Sequence, residues 1–470
     1  MMPIHSALHP ASLSGFLAPI LSGVNSNPDL WWNAVVSCMD TLRSEHPGLL
    51  SMVRGIGLSG QMLGPVLIDA DDKPVRYTIL WNDGRSANKA DQLCEAIPDI
   101  DYRVGCRPNS GFVAPKILWL AKHEPHVLEL IDCILLPKNY IFLKLTGERV
   151  AEPTDACGTH LMDARTGQWA PDLMKYVGVK PEWLPPIVSS YEPSGQLSSD
   201  LADRWGIQSR IVVAAGAGDN IAGAIGVGVG NPGDGVLSIG TSAVNSIFDG
   251  LYRPIPDKAV ITHPHAIPGT YLSMSVVLSA TSCLDWATDL MGIEAHELAT
   301  KTADIIIDGQ LLQAPIFLPY VNGIRTPHDM PEARGVMTGL DLSNDRQVMG
   351  WSVLEGIAFH IVEEILTQRD KGIAIEHLQF IGGGSRSRLW GKMIASMIGM
   401  PMHLPKWREV GASMGTAKFA MVASGSRTVS DLCTKPASED IIEPNDQLKS
   451  ILEQRFGKFQ EIFSCLKLVI

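Results

Sequence analysis

The chain has 470 residues, of which 45% are hydrophobic and 19% are charged, and its formal net charge is −12. This composition is ordinary for a folded protein, and the length exceeds what one hydrophobic core usually supports, so we expect two domains. The acidic balance disfavours nonspecific binding to nucleic acid or to an anionic membrane.

The cysteines and the apolar runs indicate the compartment. The eight cysteines are scattered and form no C-x-x-C pair, so we expect free thiols in a reducing compartment. No apolar run approaches the roughly 18 residues of a membrane helix. No Lys or Arg precedes Arg43, although the n-region of a signal peptide is normally basic. The sequence therefore predicts a cytoplasmic protein that contacts no membrane.

In chain order, the first regular element is expected after an irregular leader over residues 1–28. A helix is predicted over Pro28–Leu42, with Asp29 as its cap and an apolar face on one side. A strand over Ser51–Ser59 then runs into Gly60-Gln61-Met62. Regular structure is therefore expected to begin at Pro28.

A compact polar cluster follows the next apolar run. An aromatic ring, an amide, a carboxylate and a guanidinium lie within five residues, on Trp81, Asn82, Asp83 and Arg85. Such groups can hold a polyol by stacking and hydrogen bonds. A strand-to-helix connection with a local Asp83–Arg85 pair explains the same pattern, so both interpretations stay open.

A stretch in the middle of the chain combines an acidic turn with a glycine-hydroxyl turn. A short apolar run, Val212-Val213, enters a glycine-rich turn that contains Asp219 and Asn220, and a second predicted strand, over Val236–Ile239, ends in Gly240-Thr241-Ser242. Phosphoryl transfer needs a base for the acceptor hydroxyl and donors for the phosphate oxygens. Asp219 is a candidate base, although a carboxylate here is also a good helix N-cap. The glycine turn offers unhindered N–H groups.

The second half of the chain also alternates strands with helices. A strand over His377–Ile381 ends in Gly382-Gly383-Gly384-Ser385, a further candidate anion or nucleotide site. A long helix is predicted over Ser343–Lys371, and an amphipathic helix begins at Leu448. The alternation predicts two α/β domains that meet near residues 231–233, with the ligand cleft between them.

Competing motifs are weaker. Residues 228–233 match G-x-G-x-x-G, but the match follows a small-residue helix and contains Pro232, so a nicotinamide-binding oxidoreductase is disfavoured. The P-loop sequence G-x-x-x-x-G-K-[ST] does not occur in the chain. No histidine pair has the companion residues of a zinc site. A sugar kinase without a P-loop is the leading hypothesis.

In their order along the chain, these motifs resemble those of the FGGY carbohydrate kinases, and most closely the xylulose kinases of that family. The resemblance covers about Asp29 to Ser424. It rests on Gly60–Met62, Trp81–Arg85, Leu136–Lys138, Thr154–Thr159, Gly218–Asn220, Leu237–Ser242, Gly323–His328, Gly382–Ser385 and Gly411–Gly415.

The resemblance implies two actin-like, ribonuclease-H-like ATPase domains with a cleft between them: a sugar-binding domain over 29–232 and a nucleotide-binding domain over 233–470. It implies ATP and Mg²⁺ as cofactors and a small-molecule sugar as partner, most closely D-xylulose, and it is compatible with a homodimer. Asp219 would be the general base, and no residue is assigned to a metal. The residues implied for the sugar are Gln61, Met62, Trp81, Asp83 and Asn220, and those implied for the nucleotide are Gly240, Thr241, Ser242, Gly382, Gly383 and Ser385.

Two departures from the family pattern leave alternatives open. Leu63 stands where xylulose kinases usually have His after Gly-Gln-Met, so another ketopentose or a polyol is an alternative substrate. The family begins with a strand that ends in Asp-x-Gly-Thr and binds phosphate and metal, and no such sequence precedes Trp31. The first hairpin is therefore expected to be missing. A truncated or non-catalytic relative that binds sugar without efficient phosphoryl transfer is the alternative function.

Overall fold

The computed structural model describes residues 25–207, 210–294, 310–406 and 411–466. Most of the expected leader, residues 1–24, lies outside the described residues. In the described ranges, no helix combines the length and the apolar character that crossing a membrane requires. The chain divides into two compact units, the first formed by Met1–Gly226, His263–Thr270 and Ala412–Cys433, and the second by Val227–Thr262, Tyr271–Gly411 and Thr434–Ile470.

Short strands and helices alternate in the first half of the chain. Its elements are β1 (Asn25–Ser26), α1 (Pro28–Glu45), α2 (Pro47–Leu50), β2 (Gly55–Gly60), β3 (Val66–Ile68), β4 (Thr78–Ile79), α3 (Ala87–Ala96), α4 (Ile100–Arg103), α5 (Val113–His123), α6 (Pro125–Leu128), β5 (Cys133–Leu135), α7 (Pro137–Thr146), α8 (Pro153–Ala156), β6 (Met162–Asp163), β7 (Gln168–Trp169), α9 (Pro171–Val177), β8 (Pro193–Gln196), α10 (Ser199–Trp205), β9 (Val212–Gly218) and α11 (Asp219–Gly226).

Longer strands and helices follow in the second half. Its elements are β10 (Asp234–Ile239), β11 (Ala243–Asp249), β12 (Ile261–Pro264), β13 (Tyr271–Val277), α12 (Thr281–Met291), β14 (Ile316–Leu318), β15 (Val336–Thr338), α13 (Arg346–Asp370), β16 (His377–Ile381), α14 (Arg388–Ile398), β17 (Met402–Pro405), α15 (Gly411–Ala423), β18 (Ser438–Ile442) and α16 (Asp446–Leu466).

Helix α1 confirms the first predicted helix but not its cap. Pro28 occupies the first turn, where its missing N–H costs nothing, and the side chain of Asn27 accepts a hydrogen bond from the N–H of Asp29. Asn27 is therefore the N-cap, and the prediction of Asp29 in that role is wrong. The Asp29 carboxylate instead accepts a hydrogen bond from Tyr140 Oη at 2.7 Å.

Strand β9 is the central strand of the sheet that leads to Asp219. It pairs in parallel with β2 and antiparallel with β8, in the order β2-β9-β8. Gly216 in β9 has φ +74°, and a Cβ there would lie 1.8 Å from the carbonyl oxygen of Leu58 in β2. Glycine at this position therefore lets the two strands approach closely while one residue adopts a left-handed conformation.

A mixed sheet dominates the second unit, in the order β12-β13-β11-β10-β16-β17-β18. Strand β10 pairs antiparallel with β11 and in parallel with β16, so β10 and β16 end at the same edge of the sheet. Helix α13, predicted over Ser343–Lys371, contacts β13 and β14 and is buried along most of its length. The expected alternation of strands and helices is confirmed in both halves.

Candidate active site

The predicted base lies where β9 passes into α11. Asp219 is the first residue of α11, and its carboxylate is open to solvent. Oδ1 accepts hydrogen bonds from the N–H of Asn220 at 2.7 Å and from its Nδ2 at 3.1 Å. The side chain stays accessible, but the protein atoms around it displace part of its water, and this desolvation raises the pKa of the Asp219 carboxyl; the backbone N–H of Asn220 works in the opposite direction. Asn220 thus orients one oxygen of a carboxylate that binds protons more readily than usual.

Buried side chains from two other segments hold the end of β9. The hydroxyl of Thr154 accepts a hydrogen bond from the N–H of Gly218 at 3.0 Å, and Lys138 Nζ donates one to the carbonyl of Ala215 at 3.0 Å. Glu152 accepts hydrogen bonds from Thr154 Oγ1 and lies 3.3 Å from Lys138 Nζ. The backbone immediately before Asp219 is therefore fixed by a fully buried polar network.

Sequence reasoning did not assign a role to this network. Lys138 belongs to the segment Leu136–Lys138 and Thr154 to the segment Thr154–Thr159, and both segments resemble family motifs without indicating what they contact. The sequence signal for a buried ionic network was Lys138, Glu152 and Asp155 among apolar residues, because such charged groups are rarely buried without partners. Which strand they support could not be read from their spacing.

A second carboxyl lies within electrostatic range of Asp219. Asp155 is fully buried, and Oδ2 is 3.9 Å from Lys138 Nζ. Burial raises the pKa of Asp155 to about 8; Lys138 opposes the shift, whereas Glu152 and Asp219 add to it. Burial thus favours the protonated form of Asp155 more than in an exposed aspartate, and the nearby Lys138 favours the ionised form.

Replacing Thr154 with valine is expected to lower kcat about 3- to 10-fold and to destabilise the protein by about 1–2 kcal/mol. Valine has the same shape but leaves the N–H of Gly218 without its acceptor, so the backbone before Asp219 loosens. Steady-state kinetics and urea unfolding would measure both effects. Thr159→Val is the matched control, because the buried hydroxyl of Thr159 bonds within its own turn; equal loss of kcat in both variants would contradict the prediction.

The segment after β2 lies against the same strand end. Met62 is buried, and a Cβ at Gly218 would lie 2.6 Å from its Sδ. Met62 Cε also lies 3.8 Å from the position of a Cβ at Gly158. Gln61, which precedes Met62, is half-buried. The structure thus places Met62 against Gly218, the residue before Asp219.

The cluster around Trp81 combines an exposed aromatic ring with a local Asp83–Arg85 ion pair. The Trp81 side chain is 57% exposed and so presents an open aromatic face. Asp83 is buried and accepts hydrogen bonds from Arg85 Nε at 2.9 Å and Nη2 at 2.7 Å, so the local ion pair exists. Burial raises the pKa of Asp83, but the hydrogen bonds and charge of Arg85 outweigh it, and the net pKa is lowered. Asp83 is therefore an anion that positions its own loop.

The two glycine turns of the second unit are neighbours. Residues 240–242 form the turn of the β10–β11 hairpin, in which the N–H of Gly240 donates to the carbonyl of Ser242 at 2.8 Å. A Cβ at Gly382 would lie 2.5 Å from the carbonyl oxygen of Ile239, the residue before that turn. The parallel pairing of β10 with β16 therefore unites two segments that are about 140 residues apart in the sequence.

Both turns contain an open glycine, but their hydroxyl residues differ in exposure. A Cβ at Gly383 would meet no atom within 4 Å, and one at Gly240 would meet only the Ser242 carbonyl oxygen at 3.8 Å. Thr241 is exposed. Ser385, in contrast, is buried, and its hydroxyl donates to the carbonyl of Gly382 at 2.7 Å. Gly240, Thr241 and Gly383 therefore leave space for a phosphate or a base, whereas Ser385 stabilises its own turn.

The sequence of the chain matches two family models over most of its length. Residues 17–226 match the N-terminal domain of the FGGY family of carbohydrate kinases, and residues 235–424 match the C-terminal domain. The chain is 34% identical to xylulose kinases of Escherichia coli and Klebsiella pneumoniae, over 94% of its length and 90% of theirs.

A solved structure has the same fold. The crystal structure of a "xyloylose kinase" from Brucella ovis is 35% identical to the chain, with a TM-score of 0.90 that covers 95% of this chain and 91% of that one. The α/β architecture with two actin-like ATPase domains, which the motifs implied, is confirmed. The chain belongs to the FGGY family of carbohydrate kinases, and it is a sugar kinase.

Proposed function

We propose that this kinase transfers the γ-phosphoryl group of ATP to a ketopentose and that its substrate is D-xylulose, which becomes D-xylulose 5-phosphate. The observation that carries the proposal is the Asp219 carboxylate, which is open to solvent, oriented by Asn220 and raised in pKa. The choice of sugar is supported by the relatives of E. coli, K. pneumoniae and B. ovis, which are xylulose kinases.

In this proposal the domain over 29–232 binds the sugar. Asp219 accepts the proton of the hydroxyl that attacks the phosphorus, and Asn220 keeps the carboxylate in place while the proton moves. The open face of Trp81 stacks on the apolar face of the sugar ring or chain. The remaining sugar contacts come from Gln61, Met62 and Asp83.

The domain over 233–470 binds ATP. The hairpin turn Gly240-Thr241-Ser242 offers the hydroxyls of Thr241 and Ser242 to the phosphates, and Gly240 leaves space for a close approach because a Cβ there would meet only one atom within 4 Å. Gly382, Gly383 and Ser385 form the turn that contacts the adenosine end. These open turns fit a nucleotide.

Mg²⁺ is proposed to arrive with the nucleotide. In the ranges that the structure describes, no group of three His, Cys, Asp or Glu side chains is arranged to hold a metal. Mg²⁺ commonly keeps several waters and binds through phosphates and one or two carboxylates, so a preformed cage is not required. When bound, it would neutralise charge on the phosphates.

A coupled assay of ADP release across sugars tests the function. The panel contains D-xylulose, L-xylulose, D-ribulose, L-ribulose and glycerol, because Leu63 leaves other ketopentoses and polyols as alternatives. We expect kcat/KM to be at least about 10-fold higher for D-xylulose than for the other sugars. A site that hydrogen-bonds the hydroxyls of one sugar leaves polar groups unpaired when it binds a sugar whose hydroxyls are placed differently. A higher kcat/KM for another sugar would replace D-xylulose as substrate, and sugar binding without ADP release would contradict catalysis.

A further inference from the structure

Lys116 is a buried lysine beneath the proposed sugar site. It lies in α5 with no exposed surface, and its Nζ donates hydrogen bonds to the carbonyl of Leu63 at 2.9 Å and to that of Gly111 at 2.6 Å. Burying an ammonium group is costly unless it has partners. Both of its hydrogen-bond partners are backbone carbonyls of loops, one of which directly follows Gln61 and Met62.

The Leu63 carbonyl needs such an anchor. Leu63 has φ +73°, a left-handed conformation that a non-glycine residue rarely adopts. A Cβ at Gly158 would lie 2.5 Å from Leu63 Cδ2, so this side chain is packed closely against the turn that follows Asp155. A strained backbone conformation of this kind persists only when several contacts from the surrounding structure hold it in place.

The Gly111 carbonyl connects Lys116 to the second sugar segment. A Cβ at Gly111 would lie 2.9 Å from the carbonyl oxygen of Trp81, so the two backbones are in contact. The hydroxyl of Ser86 also donates to the carbonyl of Ser110 at 3.1 Å. The loop that Lys116 holds at Gly111 therefore lies directly against Trp81.

We propose that Lys116 is a positioning residue for sugar binding, which ties the loop of Gln61 and Met62 to the loop that supports Trp81. It contacts no substrate atom and acts only through the two backbone carbonyls. The proposal rests on the proposed function for the identity of the sugar site.

The charge of Lys116 is not essential to this role. Burial lowers the pKa of Lys116 to about 7, with Asp83 opposing the shift and Arg85 adding to it. An amine has two N–H groups even when it is neutral, and these are enough for the two carbonyl acceptors. The amine nitrogen itself, in either charge state, is what connects the loops.

Lys116→Met tests the proposal, because methionine has a similar volume and no donor. Lys418→Met is the matched control: Lys418 lies in the same unit, and its Nζ also donates to two backbone carbonyls, those of Ile225 at 2.7 Å and Leu432 at 3.0 Å. Both variants should lose thermal stability. Only Lys116→Met should raise the KM for sugar, by on the order of 10-fold, while its KM for ATP stays within about 2-fold of wild type.

Hydrogen exchange of the ligand-free protein provides a second readout. The N–H groups of Gly111 and Phe112 are bonded to Asn109, and their peptide should exchange on the order of 10-fold faster in Lys116→Met but not in Lys418→Met. This measurement uses no sugar, so it decides the positioning role even if the substrate is not D-xylulose. Unchanged exchange at residues 109–112, or equal sugar KM values in the two variants, would overturn the proposal.

Discussion

Replacing Asp219 with asparagine is expected to lower kcat by about 10²–10⁴-fold, the usual contribution of a positioned general base. Asparagine has the same shape as aspartate and cannot accept the proton of the attacking hydroxyl. Sugar binding should change little, because both hydrogen bonds from Asn220 go to Oδ1 of Asp219, and the Oδ1 of asparagine can accept them as well. Steady-state ADP release with D-xylulose measures kcat, and calorimetry with sugar alone measures binding.

The pH profile supplies an independent check on the same residue. The base must be ionised to work, and desolvation raises the pKa of Asp219. We therefore expect kcat/KM to fall as the pH drops through an apparent pKa above that of an ordinary aspartate, and the fall to be absent in Asp219→Asn. A variant that keeps wild-type kcat, or that keeps the same acidic limb, would show that another group takes the proton.

Replacing Arg455 with methionine is expected to destabilise the second unit by about 3–5 kcal/mol. Arg455 in α16 and Glu355 in α13 are each 1% exposed, and two N–O distances of 2.6 Å join them. Arg455 also donates to the carbonyls of Ala314 and Pro315. Burial raises the pKa of Glu355 even though Arg455 lowers it, so removing the guanidinium leaves a carboxyl that is costly to ionise.

Urea unfolding measures this loss, and two further variants show its origin. Lys371→Met removes an exposed ion pair to Asp257, at 3.3 Å, and should cost less than about 1 kcal/mol. Adding Glu355→Leu to Arg455→Met should recover part of the stability, because the unpaired buried carboxyl is then gone. A loss of less than about 1 kcal/mol in Arg455→Met would mean that solvent reaches this pair in solution.

Local patterns predicted several elements well. The strand over His377–Ile381 has the predicted bounds, and α13 begins at Arg346 and ends at Asp370, close to the predicted helix over Ser343–Lys371. The strand is followed by Gly382-Gly383-Gly384, and residues 343–371 contain no proline, so local sequence signals mark both elements. The cap of α1 was misassigned because Asp29 and Asn27 are both good caps, and Pro28 decides between them.

The sequence by itself determined the family, the alternation of strands and helices, and the position of Asp219 between a strand and a helix. It did so because short motifs and apolar periodicity are local properties. The tertiary structure decided which distant groups meet: Thr154 at the N–H of Gly218, Lys116 at the carbonyls of Leu63 and Gly111, and Arg455 at Glu355. Such contacts depend on strand register and helix packing across tens to hundreds of residues, and no local pattern in the chain encodes either.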